Sequence, residues 1–313
     1  MKLLITRSLP DTVMAAAKAR FEVTAQNCPL TPTSARAAFE AFDAVICTIG
    51  DDLTAAAFPQ TPRCKILANF GVGTNHIDVT AAQRAGVAVT NTPGTVTDAT
   101  ADIALTLMLM TARRASEGEA LVRRGGWSGW HPTQLLGLHM TGKTLGVIGM
   151  GRIGKAIAKR AHFGFDMKVV FHNRSQVAGF ATPATQLATL QEVLSCADIV
   201  LIAVPATPDT RHLIGSAEIA QMKPSSLLIN IARGDIVEEA ALIDALQSQK
   251  IAGAGLDVYE HEPQVPAALR ALTNCTLLPH LGTAALEVRE AMGRMVLDNL
   301  DAFATGAPLP NPV

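Results

Sequence analysis

Three polar side chains in the second half of the chain have the chemistry to move a proton and to hold a carboxylate. Arg233 lies in the run Asn-Ile-Ala-Arg-Gly, Glu262 precedes a proline, and His280 follows one. Histidine exchanges a proton near neutral pH, and a neighbouring carboxylate orients the imidazole and favours its protonated form. A guanidinium anchors a carboxylate and polarises a carbonyl. Together the three residue types suit the protonation of a carbonyl oxygen beside a carboxylate.

Each of these residues could also have a purely structural role. A lone histidine at a strand end is more often structural than catalytic, and an arginine beside a glycine is usually a surface or capping residue. Glu262 is one of several acids in a polar loop. Their joint occurrence behind a glycine-rich loop favours the catalytic interpretation.

The glycine-rich loop runs from Gly149 to Gly154, between the apolar run 144–148 and a predicted helix at 152–163. In such a strand–loop–helix setting Gly149 permits the tight turn and Gly151 lets the backbone approach a pyrophosphate. Gly154 lets the helix pack close to the strand. The helix N-terminus adds unpaired N–H groups and partial positive charge. The loop therefore predicts a dinucleotide site, and a glycine-rich turn without a ligand is the alternative. Together with Arg233, Glu262 and His280, it indicates hydride transfer.

The end of the next predicted strand indicates which dinucleotide binds. NAD sites usually carry an acidic residue there for the ribose 2′-hydroxyl, whereas this chain has His172, Asn173, Arg174 and Ser175. A guanidinium suits phosphate geometry, so Arg174 predicts NADPH or NADP as the cofactor, with NADH less favoured. Asn173 and Ser175 are additional neutral donors. A solvated loop position is the alternative for Arg174.

Two series of α/β elements would position these residues. The first has predicted strands at 2–6, 21–25, 44–48, 66–70 and 87–91, and helices at 11–20, 33–41 and 79–85. A long helix at 98–114 and a turn-rich excursion at 123–132 then interrupt the alternation. The second series has predicted strands at 144–148, 168–172, 199–203, 227–231, 252–257 and 276–278, and helices at 152–163, 190–196, 239–247 and 286–304. Short apolar strands that alternate with helices indicate parallel sheets covered on both faces.

Composition and charge exclude several classes of function. The 313 residues are 49% apolar and 17% charged, with a net charge of −1, so we expect large cores and no nucleic-acid surface. Five cysteines without a C-x-x-C pair favour free thiols in a reducing compartment over disulfides or a zinc site, and we expect no metal. The apolar run 103–112 is too short for a bilayer and the start lacks a signal peptide. We therefore expect a cytoplasmic protein that does not bind membranes.

Four motifs resemble, in order and spacing, those of the D-isomer-specific 2-hydroxyacid dehydrogenases, at 149–154, 230–234, 255–263 and 279–285. Residues 91–94 and 97–102 resemble the hinge segment of that family. The resemblance implies two Rossmann-like α/β domains, each a doubly wound parallel sheet, with a deep cleft between them. Residues 1–98 and 286–313 would form a substrate-binding lid, and residues 99–285 the dinucleotide-binding domain.

The resemblance also implies roles for individual residues. Arg233 would anchor the substrate, His280 would act as acid and base, and Glu262 would be the partner of the histidine. The backbone N–H groups of Val72 and Gly73 would hold the substrate carboxylate.

The cofactor site implied by the loop and by the resemblance extends over much of the second series. Asp257 would lie near the nicotinamide amide. The residues expected to contact the cofactor are Thr100, Gly149, Gly151, Arg152, Ile153, Gly154, Asn173, Arg174, Ser175, Val204, Pro205, Ile231, Ala232, Asp257 and Gly282.

Within the family, residues 127–138 resemble the glyoxylate/hydroxypyruvate reductase branch. There the excursion, at about 115–140, is the arm of a homodimer, and a tryptophan at the place of Trp130 reaches the active site of the partner chain. Ordinary interface packing of Trp130 is the alternative. The branch implies NADPH-dependent reduction of glyoxylate to glycolate and of hydroxypyruvate to D-glycerate.

Two departures from family patterns bear on this hypothesis. His172 replaces the usual acid at the end of the second strand, which favours NADP. Glu262 occupies the place of the glutamine that pairs with histidine in formate dehydrogenases. Two other functions stay open, a dehydrogenase of a bulkier D-2-hydroxy acid and a dinucleotide-sensing, corepressor-like binding protein. The intact trio of Arg233, Glu262 and His280 favours an enzyme.

Overall fold

The chain divides into two α/β units, which a computed structural model describes over residues 1–313. The first, here the N-terminal unit, comprises Met1–Val96 and Thr283–Val313, and the second, the central unit, comprises Thr97–Gly282. The boundaries predicted from the sequence, 98/99 and 285/286, lie two and three residues further along the chain. The lid and dinucleotide-binding roles of the units stay predictions.

The N-terminal unit is built on one five-stranded parallel sheet. Its strands are β1 (Lys2–Ile5), β2 (Glu22–Ala25), β3 (Ala44–Cys47), β4 (Ile66–Asn69) and β5 (Ala88–Thr90). The strand order is β2-β1-β3-β4-β5, a doubly wound order that reverses between β1 and β3. Its helices are α1 (Asp11–Arg20), α2 (Pro32–Ala41), α3 (Val79–Arg84) and α11 (Leu286–Thr305).

The central unit is built on a seven-stranded parallel sheet. Its strands are β6 (Thr144–Ile148), β7 (Lys168–His172), β8 (Thr185–Gln186), β9 (Ile199–Ile202), β10 (Leu227–Asn230), β11 (Gly253–Leu256) and β12 (Cys275–Leu277). The order β12-β11-β10-β9-β6-β7-β8 reverses between β6 and β9, where ligands of such sheets bind. Its helices are α4 (Thr97–Ala112), α5 (Ala115–Arg123), α6 (Arg152–Phe165), α7 (Leu190–Cys196), α8 (Ser216–Ile219), α9 (Glu239–Gln247) and α10 (Ala267–Arg270).

Each sheet separates two apolar cores, because successive residues of a strand point to opposite faces. In β1, Leu4 joins the core on the α2 and α3 side, whereas Leu3 and Ile5 join the core that includes residues of α1 and α11. In β6, Val147 packs with residues of α4 and α6, and Ile148 packs in the core on the other face. Burial on both faces explains why the strands read as continuous apolar runs.

The fold class predicted from the sequence, two doubly wound α/β sheets, is confirmed. The elements that the sequence did not predict are short or carry no core residue. Helix α5 buries none of its side chains, β8 has two residues, and α8 and α10 have four residues each. No helix in the structure has both the length and the apolar character needed to cross a membrane.

Candidate active site

The glycine loop after β6 carries three glycines whose surroundings differ. Gly149 has a φ of 97°, which favours glycine, and a Cβ there would lie 2.8 Å from Val204 Cγ1. A Cβ at Gly154 would overlap the carbonyl oxygen of Gly149, so only glycine lets α6 lie this close to the loop. A Cβ at Gly151, in contrast, has no heavy atom within 4 Å. Packing does not require glycine at position 151, and this space fits the approach of a pyrophosphate to the backbone.

The loop is tied to the end of β7 by Asn173. The Asn173 Oδ1 accepts a hydrogen bond from the N–H of Met150 at 3.3 Å. The Asn173 Nδ2 donates to the carbonyl oxygen of Ser175 at 3.1 Å and lies 3.3 Å from its Oγ. Asn173, predicted as a cofactor donor, therefore also fixes the turn that presents Arg174.

Arg174 itself extends into solvent beside an acid from another loop. Its Nη1 lies 3.7 Å from Asp209 Oδ2, and the side chains are 76% and 81% exposed. Asp209 belongs to a 3-10 turn, Pro208–Thr210, that follows β9. Sequence reasoning did not pair these two residues, because they belong to loops after different strands.

The histidine–glutamate pair forms in the central unit as the motifs predicted. His280 Nδ1 lies 2.8 Å from Glu262 Oε2, and Glu262 Oε1 accepts the N–H of Tyr259 at 3.0 Å. Burial acts to raise the pKa of Glu262, but the hydrogen bond and charge of His280, with the Tyr259 N–H and the Arg233 charge, outweigh it and lower the pKa. The carboxylate is thus held ionised beside Nδ1, and Nε2 is the imidazole nitrogen that this contact does not use.

Asp257 holds the turn that carries His280. Its backbone oxygen accepts the N–H of His280 at 2.9 Å. Its two carboxylate oxygens accept the N–H groups of Leu281 at 2.6 Å and Gly282 at 2.8 Å. His280 adopts a φ of 55°, a left-handed conformation that costs a non-glycine residue free energy and persists only where the surrounding structure fixes it. Burial raises the pKa of Asp257, and Thr100 Oγ1 completes the turn by donating to the Gly282 oxygen at 3.2 Å.

Arg233 lies in the loop after β10, which the buried side chain of Asn230 organises. Asn230 Oδ1 accepts the N–H of Ala232 at 3.0 Å, and its Nδ2 donates to the Arg233 oxygen at 2.8 Å. A Cβ at Gly234 would overlap the backbone of Tyr259, so the arginine loop lies directly against the segment that carries the glutamate. Burial lowers the pKa of Arg233, and the charges of Glu262 and Asp235 oppose that shift.

In the N-terminal unit, a second buried asparagine organises the loop that contains Val72 and Gly73. Asn69, the last residue of β4, donates through Nδ2 to the oxygens of Gly71 and Gly73, both at 3.0 Å. Asn91 Nδ2 donates to the Val72 oxygen at 2.9 Å. The carbonyl groups of this loop are therefore engaged, while the N–H groups of Val72 and Gly73 donate to no protein group.

The organising roles of Asn69 and Asn230 were missed from the sequence. Both are polar residues that end otherwise apolar strands, Ile-Leu-Ala-Asn and Leu-Leu-Ile-Asn, and both are buried. A buried polar side chain needs hydrogen-bond partners, so this pattern could have marked both positions. Asp257, a buried acid directly after the apolar strand β11, shows the same pattern, although the N–H groups that it accepts lie more than twenty residues further along.

Trp130 lies in the central unit, away from any packed surface of its own chain, with 78% of its area exposed. Val122, Trp127 and Leu136, from the same part of the chain, are also exposed. The predicted dimer arm and the contact of Trp130 with a partner chain stay predictions.

A glycine loop at the reversal of a parallel sheet and a histidine–glutamate pair in the same unit are features of a dehydrogenase that uses a nicotinamide dinucleotide. The family model described as D-isomer specific 2-hydroxyacid dehydrogenase, NAD binding domain, matches residues 105–282. The glyoxylate reductase of Thermococcus litoralis is 40% identical, covering 99% of this chain and 96% of its own. That of Pyrococcus furiosus is also 40% identical, covering 97% and 93%. The chain belongs to the D-isomer-specific 2-hydroxyacid dehydrogenase family, in its glyoxylate reductase branch, which confirms the resemblance.

Solved structures agree with this assignment. An NADPH-dependent glyoxylate/hydroxypyruvate reductase from Sinorhizobium meliloti, in complex with NADP and malonate, has a TM-score of 0.88 and 34% identity, covering 100% of this chain and 96% of that one. A protein from Thermus thermophilus has a TM-score of 0.92 and 40% identity, with full coverage of both chains. Together with the family model, the NADP-bound Sinorhizobium meliloti structure supports a nicotinamide dinucleotide as the cofactor.

Proposed function

We propose that the protein uses NADPH to reduce small 2-keto acids, converting glyoxylate to glycolate and hydroxypyruvate to D-glycerate. The observation that carries the proposal is the 2.8 Å pairing of His280 with Glu262 in the unit that holds the glycine loop. The names of the relatives support the choice of substrates. The NADP in the Sinorhizobium meliloti reductase supports the choice of cofactor.

The proton chemistry falls to His280. Glu262 fixes Nδ1, so a protonated imidazole donates from Nε2 to the carbonyl oxygen of the substrate and is left neutral. Arg233 holds the substrate carboxylate and stabilises negative charge on that oxygen. The hydride that reaches the carbonyl carbon is the chemistry that a bound nicotinamide supplies. One hydride and one proton convert the carbonyl to a hydroxyl, and solvent returns the proton to His280.

The cofactor would lie along the carboxyl ends of β6, β7 and β9. The N–H groups at the start of α6, from Arg152, Ile153 and Gly154, would hold the pyrophosphate at the open face of Gly151. Arg174 would pair with the 2′-phosphate that distinguishes NADPH from NADH. The other proposed cofactor contacts are Thr100, Val204, Pro205, Ile231, Ala232, Asp257 and Gly282.

The substrate carboxylate would also use backbone donors. The N–H groups of Val72 and Gly73 have no partner in the protein, and the neighbouring carbonyl groups are engaged. Unpaired N–H groups in succession favour an anion. This arrangement supports the proposed role of both residues.

We also propose that the chain forms a homodimer through the arm at about 115–140. Helix α5 buries none of its own side chains, and Val122, Trp127, Trp130 and Leu136 are exposed around it. Several exposed apolar and aromatic side chains within one segment of the chain are typical of protein interfaces.

The test follows the absorbance of NADPH and, in parallel, NADH with glyoxylate, hydroxypyruvate and a bulky 2-keto acid. We expect turnover of the two small acids and a higher kcat/KM with NADPH. His280→Ala should lower kcat by about 100- to 10,000-fold and leave the Kd for NADPH unchanged. If only the bulky 2-keto acid is reduced, the protein is instead a dehydrogenase of a larger D-2-hydroxy acid. If no acid is reduced while NADPH still binds, the chain is a dinucleotide-sensing protein and the proposal is wrong.

A further inference from the structure

The ion pair between Arg174 and Asp209 lies beside the dinucleotide loop. Arg174 follows β7 and Asp209 follows β9, and these strands are the two neighbours of β6, which leads into the loop. Carboxyl ends of parallel strands lie at the same edge of a sheet. Asp209 therefore brings a carboxylate to the edge of the sheet at which Arg174 lies.

Hydrogen bonds fix the backbone of the two turns that carry Arg174 and Asp209. On the Asp209 side, Thr210 Oγ1 donates to the Pro205 oxygen at 2.8 Å and accepts the N–H of Thr207 at 2.8 Å. On the Arg174 side, Asn173 is bonded to the glycine loop and to Ser175. The nearness of the two charges therefore follows from two braced turns, although the side chains themselves are exposed.

We propose that Asp209 is a specificity-determining residue, whose carboxylate competes with the cofactor 2′-phosphate for Arg174 and so narrows the preference for NADPH over NADH. The inference rests on the proposed function, in which Arg174 holds that phosphate. A phosphate monoester carries about −1.5 to −2 charges at neutral pH. NADPH binding therefore has to draw the guanidinium away from Asp209 and onto the phosphate, because the two anions compete for one cation. NADH has a neutral ribose hydroxyl there and leaves the ion pair intact.

The test measures binding of 2′,5′-ADP and of 5′-AMP by calorimetry, since the two ligands differ in the 2′-phosphate and neither reacts. Asp209→Asn should tighten 2′,5′-ADP about two- to fivefold, the range for loss of an exposed ion pair, and leave 5′-AMP unchanged. This gain in affinity for 2′,5′-ADP should be smaller at high salt, because salt screens exposed charges. Asp244→Asn is the matched control, because Asp244 is an exposed residue of α9 whose side chain forms no ion pair. It should change neither affinity.

Arg174→Ala separates this inference from the proposal on which it rests. If Arg174→Ala weakens 2′,5′-ADP and Asp209→Asn has no effect or weakens it too, the competition is refuted while the NADPH assignment stands. If Arg174→Ala changes neither affinity, the cofactor assignment itself is wrong. In the Arg174→Ala background, Asp209→Asn should have no effect. An equal gain there would mean that Asp209 repels the phosphate directly, which also overturns the competition.

Discussion

Alanine substitutions in the glycine loop should separate cofactor binding from folding, because two of its glycines have opposite surroundings. Gly151 has a φ of −78° and a ψ of −162°, which alanine adopts without strain, and a Cβ there would meet nothing within 4 Å. A Cβ at Gly154 would overlap the oxygen of Gly149 and lie 3.3 Å from Val147 Cγ1. Gly151→Ala should therefore weaken the binding of a ligand, whereas Gly154→Ala should destabilise the fold.

The expected magnitudes follow from these surroundings. Gly151→Ala should leave the free energy of unfolding within about 0.5 kcal/mol of the original. Its methyl group would occupy the space proposed for the pyrophosphate, so the Kd for NADPH should rise about 10- to 100-fold, or ~1.4–2.8 kcal/mol. Gly154→Ala forces α6 away from the loop, and such overpacking costs about 1–3 kcal/mol. At about 2–4 °C per kcal/mol for a domain of this size, the Tm should fall by about 2–12 °C.

The assay combines thermal unfolding without cofactor and fluorescence titration with NADPH. Gly164→Ala is a matched control, since Gly164 lies in the same helix and a Cβ there also meets nothing within 4 Å. It should raise the stability by up to about 1 kcal/mol and leave the Kd unchanged. An unchanged Kd in Gly151→Ala would refute the inference that a pyrophosphate approaches the backbone there.

Three further predictions concern the catalytic trio and its supports. The lowered pKa of Glu262 means that its contribution to stability is present above its ordinary value of 4.5 and is lost as pH falls through the folded value. The Tm difference between the original protein and Glu262→Gln, measured across pH, should therefore be constant near neutrality and shrink below about pH 4.5. A Tm difference that grows in acid would contradict the lowered pKa of Glu262. Asp257→Asn puts an amide NH2 against a backbone N–H, which should cost about 1–3 kcal/mol of stability and lower kcat through the displaced His280 turn; calorimetry and single-turnover rates measure the two effects, and an unchanged kcat would remove the positioning role. Gly234→Ala cannot be accommodated without displacing Tyr259, so it should lower both the Tm and kcat/KM for glyoxylate. If both values are retained, the backbones of Gly234 and Tyr259 can separate at no cost in free energy.

Local signals in the sequence were enough to predict the elements that carry the cofactor loop. Strand β6 was predicted at 144–148 and α6 from residue 152, as observed, because an apolar run and a glycine turn define them without help from distant residues. The helix predicted at 98–114 ends instead at Ala112, and α5 follows Arg114, which has a φ of 52°. No glycine or proline accompanies that break, so it could not be predicted from local sequence.

The residues of the candidate site also divide into those that the sequence predicted and those that it did not. The trio was predicted because ionisable residues that gather at the strand ends of a parallel sheet usually form a functional site, and its catalytic role stays a prediction. The hydrogen-bond partners of the groups that hold the trio could not be predicted, because they depend on loop conformation, although the strand-end position of Asn230 could have marked that residue as a support. Asp257 was expected beside the nicotinamide, yet both of its carboxylate oxygens accept N–H groups of the turn after His280. Asp209 escaped prediction because its partner, Arg174, belongs to a loop after a different strand.

The only tyrosine of the chain connects the parts of the trio. The backbone of Tyr259 lies against Gly234 of the arginine loop, and its N–H holds Glu262. Its hydroxyl donates to the oxygen of Leu278, two residues before His280, at 2.8 Å. Burial raises the pKa of that hydroxyl, so it remains a donor throughout the neutral range. One buried residue thus braces the three loops that carry the proposed catalytic residues, and in the proposed reaction this bracing would preorganise the charges near the carbonyl.

The proposed cofactor-selecting residues, Arg174 and Asp209, form no hydrogen bond or ion pair with the trio or with Tyr259, although His212, three residues after Asp209, pairs with Glu260 at 2.8 Å. Arg174 and Asp209 lie in turns after β7 and β9, whereas the trio lies at the carboxyl ends of β10, β11 and β12. Changes at sites with no shared partners usually have additive effects. The preference between NADPH and NADH should therefore shift through Asp209 without a change in kcat at saturating cofactor, and a double variant with Glu262→Gln should show the sum of the two separate effects in free energy.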